Sequence, residues 1–490
     1  MKVSLRCFLP VLLVLLFSPL AQAQGRTNGL AKNPGVSAPQ PGSPLWLQQA
    51  YDLTSLSASA GMGQSVAIFI NYNDKTLGTD LAGFRLANGL APCGEADHCL
   101  RIINTTPTSS PLSASRGGDG TLDVDAISAL CPHCHIVVLE DGAFNPYSDA
   151  LVAKSAGATV FTFSIELKAD SAGPAAGGDP ASLNIPTTAS SGDAGALGYP
   201  TAFDPATYGD VTATGGTTVA PDPTNPRGVD EWAWGGSGSY CDTYQPIPAY
   251  QVGTNTGCSG RAFSDLSADG DPSSGLSIYQ SWSHSWASGG GTSLSAPLVA
   301  AYYALLQSRG IHDLTSPAWA YSHGNTLNKI RKYTPNSYSY PYPGGGTATV
   351  NGSFSPSSAC STISSTPLCS PRASGAWSGP TGMGSISGDI LRGKPAVGSN
   401  GDTLRAGTTS LRLFGGVYSN GNATRVHIQY GLTSAYGLAS ATVRIPATMG
   451  ARGVRFTLSH LMAHRIYHYR LVAVNGDGVS YGYDQTAITA

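Results

Sequence analysis

Residues 288–300 read Ser-Gly-Gly-Gly-Thr-Ser-Leu-Ser-Ala-Pro-Leu-Val-Ala, a glycine-rich turn that delivers the hydroxyl of Ser293 to the start of an apolar, helix-like stretch. A hydroxyl there sits among unpaired backbone N–H groups and the positive end of the helix dipole, which favour the oxyanion formed in acyl transfer. The plainer alternative is a serine N-cap after a flexible loop. A nucleophilic serine needs a base, and none of the ten histidines opens a helix as His-Gly-Thr. Carboxylates are the remaining candidates. Asp119-Gly-Thr-Leu-Asp123 opens the apolar continuation Val-Asp-Ala-Ile-Ser-Ala-Leu, and a spacing of four puts both acids on one helix face. Two acids so close do not both ionise easily, so the pair titrates as a unit and works best at low pH. An N-cap aspartate followed by a first-turn aspartate answering the helix dipole is the structural alternative.

The elements that must position these groups are visible between residues 65 and 310. Short apolar runs read as strands at Val66–Ile70, Ile136–Leu139, Thr159–Phe163, Thr187–Ser190, Val211–Thr214 and Leu276–Tyr279. Helical patterns fall at Leu77–Asn88, Leu122–Leu130, Asp149–Ser155 and Ser293–Gln307. Continuous apolar strands separated by crossover helices predict an α/β fold, a mostly parallel sheet flanked by helices on both faces. Such sheets place their chemistry in the loops after the carboxyl ends of the strands. Residues 341–399 are rich in Gly, Ser and Pro, and 391–403 read as a linker. Beyond it the period becomes two: Arg425–Tyr430, Val454–Leu458 and Tyr467–Val474 alternate or run as strands between Gly, Asn and Asp turns. Residues 404–490 are thus expected to form a small all-β sandwich.

The first 23 residues carry Lys2 and Arg6, an apolar stretch from Phe8 to Leu20, and Ala21-Gln22-Ala23 before Gln24, the pattern of a cleavable secretory signal. No later run of about 18 apolar residues follows, so a secreted chain, extracellular or periplasmic, with no membrane span is expected. The formal charge of −2 offers nothing to nucleic acid. Charged residues make up 11%, against roughly 25% in ordinary soluble domains, a composition that has little to lose in acid. Of nine cysteines, Cys7 lies in the signal. The rest, Cys93, Cys99, Cys131, Cys134, Cys241, Cys258, Cys360 and Cys369, cluster as four sequence-local couples, most simply disulfides in an exported chain. Cys131-Pro-His-Cys134-His135 is also a c-type haem attachment signature, but no other haem feature accompanies it. Zinc would want a second ligand pair.

Three motifs in one order resemble the sedolisin, or serine-carboxyl, peptidase family: Asp119-Gly-Thr-Leu-Asp123, Ser191-Gly192-Asp193-Ala194-Gly195, and Gly291-Thr292-Ser293-Leu294-Ser295-Ala296-Pro297. Between the last two, Tyr199-Pro200-Thr201-Ala202 and Val211-Thr212-Ala213-Thr214-Gly215-Gly216-Thr217 are similar to the family's Tyr-Pro-Ala and Val-Thr-Ala-Val-Gly-Gly-Thr segments. The resemblance spans residues 40–390 and implies a subtilisin-like fold. It implies that Ser293 attacks the scissile carbonyl of a polypeptide and Asp119 takes its proton. Asp123 would orient Asp119 and share its proton. Asp193, protonated, would stabilise the oxyanion with the Ser293 backbone N–H, which calls for a raised pKa or an acidic medium.

The chain departs from that pattern in several places. The family's first acid is glutamate, and Asp119 is one methylene shorter; a misplacement of roughly an ångström can cost about a hundredfold. Gly117, Gly118 and Gly120 weaken the helix start that must hold it. The usual Ser-x-Ser-aromatic-Gly stretch reads Thr162-Phe163-Ser164-Ile165-Glu166, which offers Glu166 as a substitute carboxylate. Family members commonly hold calcium, but no Asp-Ile-Thr occurs, and the matching turn, Ala376-Trp377-Ser378-Gly379, has serine for the acid, so no cofactor or metal ligand is assigned. The stretch between the signal and Gln40 is too short for the long inhibitory prosegment of many relatives. At the C-terminus, Leu461, Tyr467, Tyr469, Leu471, Ala473 and Asn475 resemble the ending of fibronectin type III domains, with Tyr467 as the corner tyrosine. Such a module is a spacer or a binder of surfaces or polysaccharide. Two readings result: a secreted acid endopeptidase, or a catalytically weak or inactive peptidase-like binding or adhesion protein. Aspartate for glutamate and the missing calcium acids favour the second; intact Asp123, Asp193 and Ser293 favour the first.

Overall fold

The computed structural model describes residues 40–490 apart from 106–113, 116–117, 143–144, 166, 169–179, 199–202, 223, 226, 336–337, 342–346, 351–359, 361–366, 373, 375, 392–393, 420–421, 447–450 and 477. The signal at 1–23, Glu166 and Tyr199-Pro200-Thr201-Ala202 therefore lie outside the described residues.

The apolar runs form one sheet: β1 (Ser65–Ile70), β2 (Leu100–Asn104), β3 (His135–Glu140), β4 (Val160–Phe163), β5 (Thr187–Ser190), β6 (Thr212–Pro221), β7 (Val229–Ala233) and β8 (Leu266–Asp269). Their order is β7-β6-β5-β4-β1-β3-β2, with β8 also on β6. Every pairing is parallel except β6 with β7. In the centre Ile68 stands between Val138 and Thr162. β1 is buried at every position because helices cover both faces, which is why it reads as an unbroken apolar run. Alternate residues serve two cores. Val66, Ile68 and Ile70 pack with Leu122, Val124, Leu294 and Leu298 on one side, and Ala67 and Phe69 pack with Phe161, Phe163, Ala150 and Ala153 on the other.

Four helices matter here: α1 (Leu77–Ala87), α2 (Asp119–Leu130), α3 (Pro146–Ser155) and α4 (Thr292–Gln307). α4 is buried from Thr292 to Leu306, so its sequence is apolar all round rather than striped. Its few polar groups bond to the sheet: Ser295 Oγ donates to Gly215 O at 2.7 Å, and Thr188 Oγ1 donates to Ala296 O at 3.0 Å. These bonds fix the rotation of α4 and therefore the direction in which its first turn points.

Leu276–Tyr279 is not part of the parallel sheet. Leu276–Gln280 pairs antiparallel with Ser285–Gly289 as a hairpin that leads into the α4 start. Leu276 and Ile278 are buried while Ser277 is not, so the run has one buried face, which its alternating sequence already carries. Val211–Thr214 grows to ten residues because β6 serves β5, β8 and β7 in turn along its length. Four disulfides close Cys93–Cys99, Cys131–Cys134, Cys241–Cys258 and Cys360–Cys369.

At the C-terminus two antiparallel sheets enclose a core of Leu411, Leu413, Val417, Val426, Ile428, Phe456 and Leu471. One contains Ala396–Ala406, Leu411–Tyr418 and Ala451–Leu458; the other is built on Thr424–Gly431 and Ile466–Asn475. Residues 391–403, read above as a linker, thus include the first part of a strand whose partner is Leu411–Tyr418. Tyr467 is buried, and its hydroxyl accepts from Met462 N at 3.0 Å, a corner that ties the last long strand to the turn before it. No helix among the described residues is long and apolar enough to cross a membrane.

Candidate active site

The α4 start is a junction of two loops. Gly291, at φ +84°, turns the chain into the helix, and a Cβ there would stand 2.5 Å from Asp193 Oδ2. Only glycine allows both the angle and the approach. Asp193 Oδ1 accepts from Thr292 N at 2.7 Å and from Thr292 Oγ1 at 2.9 Å, capping α4 from the loop after β5. Thr292 Oγ1 in turn accepts from Gly192 N at 3.0 Å. Ser293 is the second residue of α4 and 9% exposed. Its hydroxyl donates to the Ser164 carbonyl, just past β4, at 3.2 Å. Its own N–H belongs to the first turn, where the helix supplies no acceptor.

The acids come from α2. Gly118, at φ +121°, precedes Asp119 and has no side chain with which to cap the helix. The Tyr72 hydroxyl, from the loop after β1, does that work by accepting from Gly120 N at 2.8 Å. Asp119 and Asp123 stand one turn apart on α2, Asp119 within electrostatic reach of Asp193 and Asp123 against Ser164. Asp123 is fully buried, with Oδ1 at 2.7 Å from Ser164 Oγ, and Oδ2 has no hydrogen-bond partner among the described residues. Ser164 Oγ is also 3.1 Å from the Ser293 carbonyl oxygen. One serine therefore touches both the acid helix and the nucleophile helix.

The electrostatics are those of acids gathered out of water. Among the described residues no lysine, arginine or histidine pairs with Asp119 or Asp123. Burial, then the neighbouring Asp193, pushes Asp119 up to about 6. Burial holds Asp123 well above the usual carboxylate range, against the Ser164 hydrogen bond and with help from Asp119. Burial also raises Asp193, against the two bonds from Thr292. The Tyr72 phenol is raised by burial and then by Asp119. Each group keeps its proton to a higher pH than in water because ionising beside the others, out of water, costs free energy.

All four residues singled out from sequence, Asp119, Asp123, Asp193 and Ser293, lie around the carboxyl ends of β1, β4 and β5. One detail differs from the simplest expectation. The Ser293 hydroxyl rests on a backbone carbonyl, and no hydrogen bond joins it to Asp119 among the described residues. Sequence reasoning passes over Ser164, Thr292 and Tyr72. Ser164 directly follows the strand read at Thr159–Phe163, and a hydroxyl in the loop after a parallel strand was the available signal. The turn at Trp377–Gly382 is closed by its own bonds: Ser378 and Gly382 exchange backbone bonds of 3.0 and 2.7 Å, and Ser378 Oγ lies 2.9 Å from Thr381 Oγ1. Among the described residues no group of three or more His, Cys, Asp or Glu side chains is placed to hold a metal ion.

No protein-family model and no curated protein matches the chain. Among solved structures it is similar to Pseudomonas sedolisin, a serine-carboxyl proteinase in complex with two molecules of pseudo-iodotyrostatin. The TM-score is 0.54 at 22% identity, covering 73% of this chain and 97% of that one. At that identity the likeness is one of fold, the subtilisin-like α/β arrangement. The PatG macrocyclase domain covers 57% of this chain at 13% identity with a TM-score of 0.35. The fibronectin type-III domain of human fibronectin type III domain containing protein 3 covers 19% at 19% identity with a TM-score of 0.14.

Proposed function

We propose that the protein is a secreted serine-carboxyl endopeptidase, hydrolysing peptide bonds in acidic surroundings through an acyl-enzyme on Ser293. The observation that carries this reading is the meeting of a helix-start serine with Asp193, which caps the same helix, and with the Asp119–Asp123 pair, which reaches it through Ser164. In the proposed cycle the Ser293 hydroxyl turns from the Ser164 carbonyl to Asp119, which takes its proton as the oxygen attacks the substrate carbonyl. The new oxyanion receives hydrogen bonds from the Ser293 N–H and from Asp193. With Asp193 Oδ1 occupied by Thr292, the donating proton belongs on Oδ2, the oxygen lying against Gly291. Asp119 returns its proton to the leaving amine, and a water then repeats the sequence to release the acid.

The pH demand follows from the same geometry. Asp119 and Asp193 oppose each other's ionisation, so in weak acid one of them is charged, and the productive form has Asp119 ionised and Asp193 neutral. The kcat/KM profile is accordingly a bell in the acid range. The C-terminal sandwich is assigned as a fibronectin type III-like module, a spacer or a holder of surface or polysaccharide.

Incubation with an unfolded polypeptide from pH 3 to 7, beside Ser293→Ala, tests the reading. Cleavage that peaks in acid and falls by about 10⁴-fold or more in the variant is the expected result. Wild-type protein inert across that range leaves a peptidase-shaped binding protein, whose aspartate in place of the longer acid would then explain the silence.

A further inference from the structure

Pro297 lies four residues after Ser293 inside α4. In an α-helix the carbonyl of residue 293 would accept from the N–H of residue 297, and proline has none. The carbonyl of the serine is thereby orphaned in a buried place, where an unmet acceptor is costly. Ser164, 4% exposed, puts Oγ 3.1 Å from it. The same Oγ is 2.7 Å from Asp123 Oδ1.

A hydroxyl carries one proton. The Ser293 carbonyl can only accept, so if Ser164 gives its proton there, the shorter contact to Asp123 is a hydrogen bond only when Asp123 is the donor. An ionised Asp123 would take the Ser164 proton and leave the Ser293 carbonyl bare, beside a charge with Oδ2 unpartnered. Of the titratable groups around Asp123, Asp119 on its own helix opposes a second negative charge, the Tyr72 phenol from the loop after β1 is neutral, and Asp193, from the loop after β5, acts on Asp119; the Ser164 hydroxyl favours the charged form only where it donates. The residue after β4 and the start of α4 present the Ser164 and Ser293 hydroxyls to this corner.

We propose that Ser164 is a positioning residue that fixes one direction of hydrogen bonding, from the neutral Asp123 carboxylic acid to the Ser164 hydroxyl to the Ser293 carbonyl. Through it the protonated state of Asp123 is tied to the first turn of α4. The Ser164 carbonyl completes the clamp by holding the Ser293 hydroxyl until substrate arrives. With Asp123 neutral, Asp119 is the member of the pair left to take a proton, which makes it the base. The inference deepens the peptidase reading for its rate consequences, while its proton assignment is independent of any activity.

Infrared difference spectra between the whole protein and Asp123→Asn, at pH 6 where ordinary carboxylates are ionised, read the assignment directly. Loss of a carboxylic-acid C=O band in the variant is expected; loss of a carboxylate band instead overturns it. Ser164→Ala then discriminates by sign. If Ser164 accepts from the acid, its removal destabilises the neutral form and the Asp123 band titrates at lower pH. An upward shift, or none, means that Ser164 donates to a carboxylate or does not engage it, and the proposal fails. Ser164→Thr, which keeps the hydroxyl, should titrate as wild type and covers the case in which the alanine variant does not fold. In hydrolysis assays Ser164→Ala should lower kcat about tenfold with KM little changed. That loss should shrink in a Pro297→Ala background, which returns an N–H to the Ser293 carbonyl. An equal loss in both backgrounds overturns the clamp. A wild type without hydrolysis at any pH removes the peptidase reading and leaves the infrared result to decide this one.

Discussion

Two sets of aspartates are drawn out of water in this molecule by opposite means. Asp265, with no exposed surface, pairs with Arg261 at 2.6 Å through Nη2 and 3.1 Å through Nη1, and also accepts from Ala213 N at 2.9 Å and the Tyr321 hydroxyl at 3.1 Å. Arg261 spends its remaining donors on the carbonyls of Tyr208, Val211 and Ala262. Burial works against the guanidinium charge, but Asp265, Tyr250 and Tyr321 together outweigh it and the Arg261 pKa ends above its ordinary value. Among the described residues Asp119 and Asp123 have no such cation, and the cost of burying them emerges as retained protons. A carboxylate with a cation and a full set of donors holds the fold. One without them is free to exchange a proton at a pH the surroundings set.

The sharpest way to break this contrast is to remove the compensated acid. Asp265→Asn leaves Arg261 charged and buried beside a neutral amide, and uncompensated buried charge typically costs about 3–5 kcal/mol. Denaturant unfolding at pH 5 should show that loss as a lower midpoint with an unchanged slope. Whatever protein remains folded should bind and cleave as before. A change below about 1 kcal/mol would mean that the pair is replaceable by its hydrogen bonds alone.

A smaller effect sharpens the other side. Asp119, Asp123, Asp193 and Asp269 are all raised, the last by burial against the Ser274 hydrogen bond and with Asp271 and Glu231 adding to it. Their folded forms hold protons that the unfolded chain releases near pH 4. Stability from this source is complete below that pH and is lost as pH rises through the folded values, about 6 for Asp119, with Asp123 also raised well above its ordinary range. The melting temperature should therefore fall between pH 4 and pH 7 by several degrees, at roughly 2–4 °C per kcal/mol for a domain of this size. Asp119→Asn should flatten the decline between pH 4 and 6, and Asp265→Asn should leave its slope alone. A melting temperature that rises over that interval would contradict the assignment of retained protons.

The sheet was legible because parallel strands covered on both faces must be continuous apolar runs, as Ser65–Ile70 and His135–Glu140 are. Leu266–Asp269 was not, since a strand ending in a buried acid imitates a loop; the Asp269 carboxyl group is met by the Ser274 hydroxyl, and its backbone N–H donates to the Tyr51 hydroxyl from far along the chain. Asp119, Asp123 and Ser293 were legible from local spacing: two acids a turn apart, and a serine after three glycines. Asp193 entered through the family resemblance. Ser164 could not be read that way. Its importance depends on the missing amide of Pro297, 133 positions later in the chain, and on which oxygen of Asp123 faces it. Local pattern names the groups that do chemistry. Who supplies each buried donor and acceptor is settled between distant segments.

The finest test concerns one methylene. Asp119 leaves the Ser293 hydroxyl resting on the Ser164 carbonyl at 3.2 Å, a neutral acceptor that competes with any base for the same proton. Asp119→Glu extends the carboxyl group by about 1.5 Å, one C–C bond, from a helix start whose backbone is held by Tyr72. A longer acid in that position competes better for the hydroxyl, and gains in alignment of this order are worth up to about a hundredfold where the original geometry is poor. The longer side chain also has another rotor to immobilise. The net expectation is a kcat between unchanged and about tenfold higher at pH 4–6, beside an Asp119→Asn variant reduced about a hundredfold or more. Equal rates in all three would make Asp119 a first-turn acid answering the helix dipole. The contrast with Asp265 would then lie in how each acid is sheltered, with no difference left in what it does.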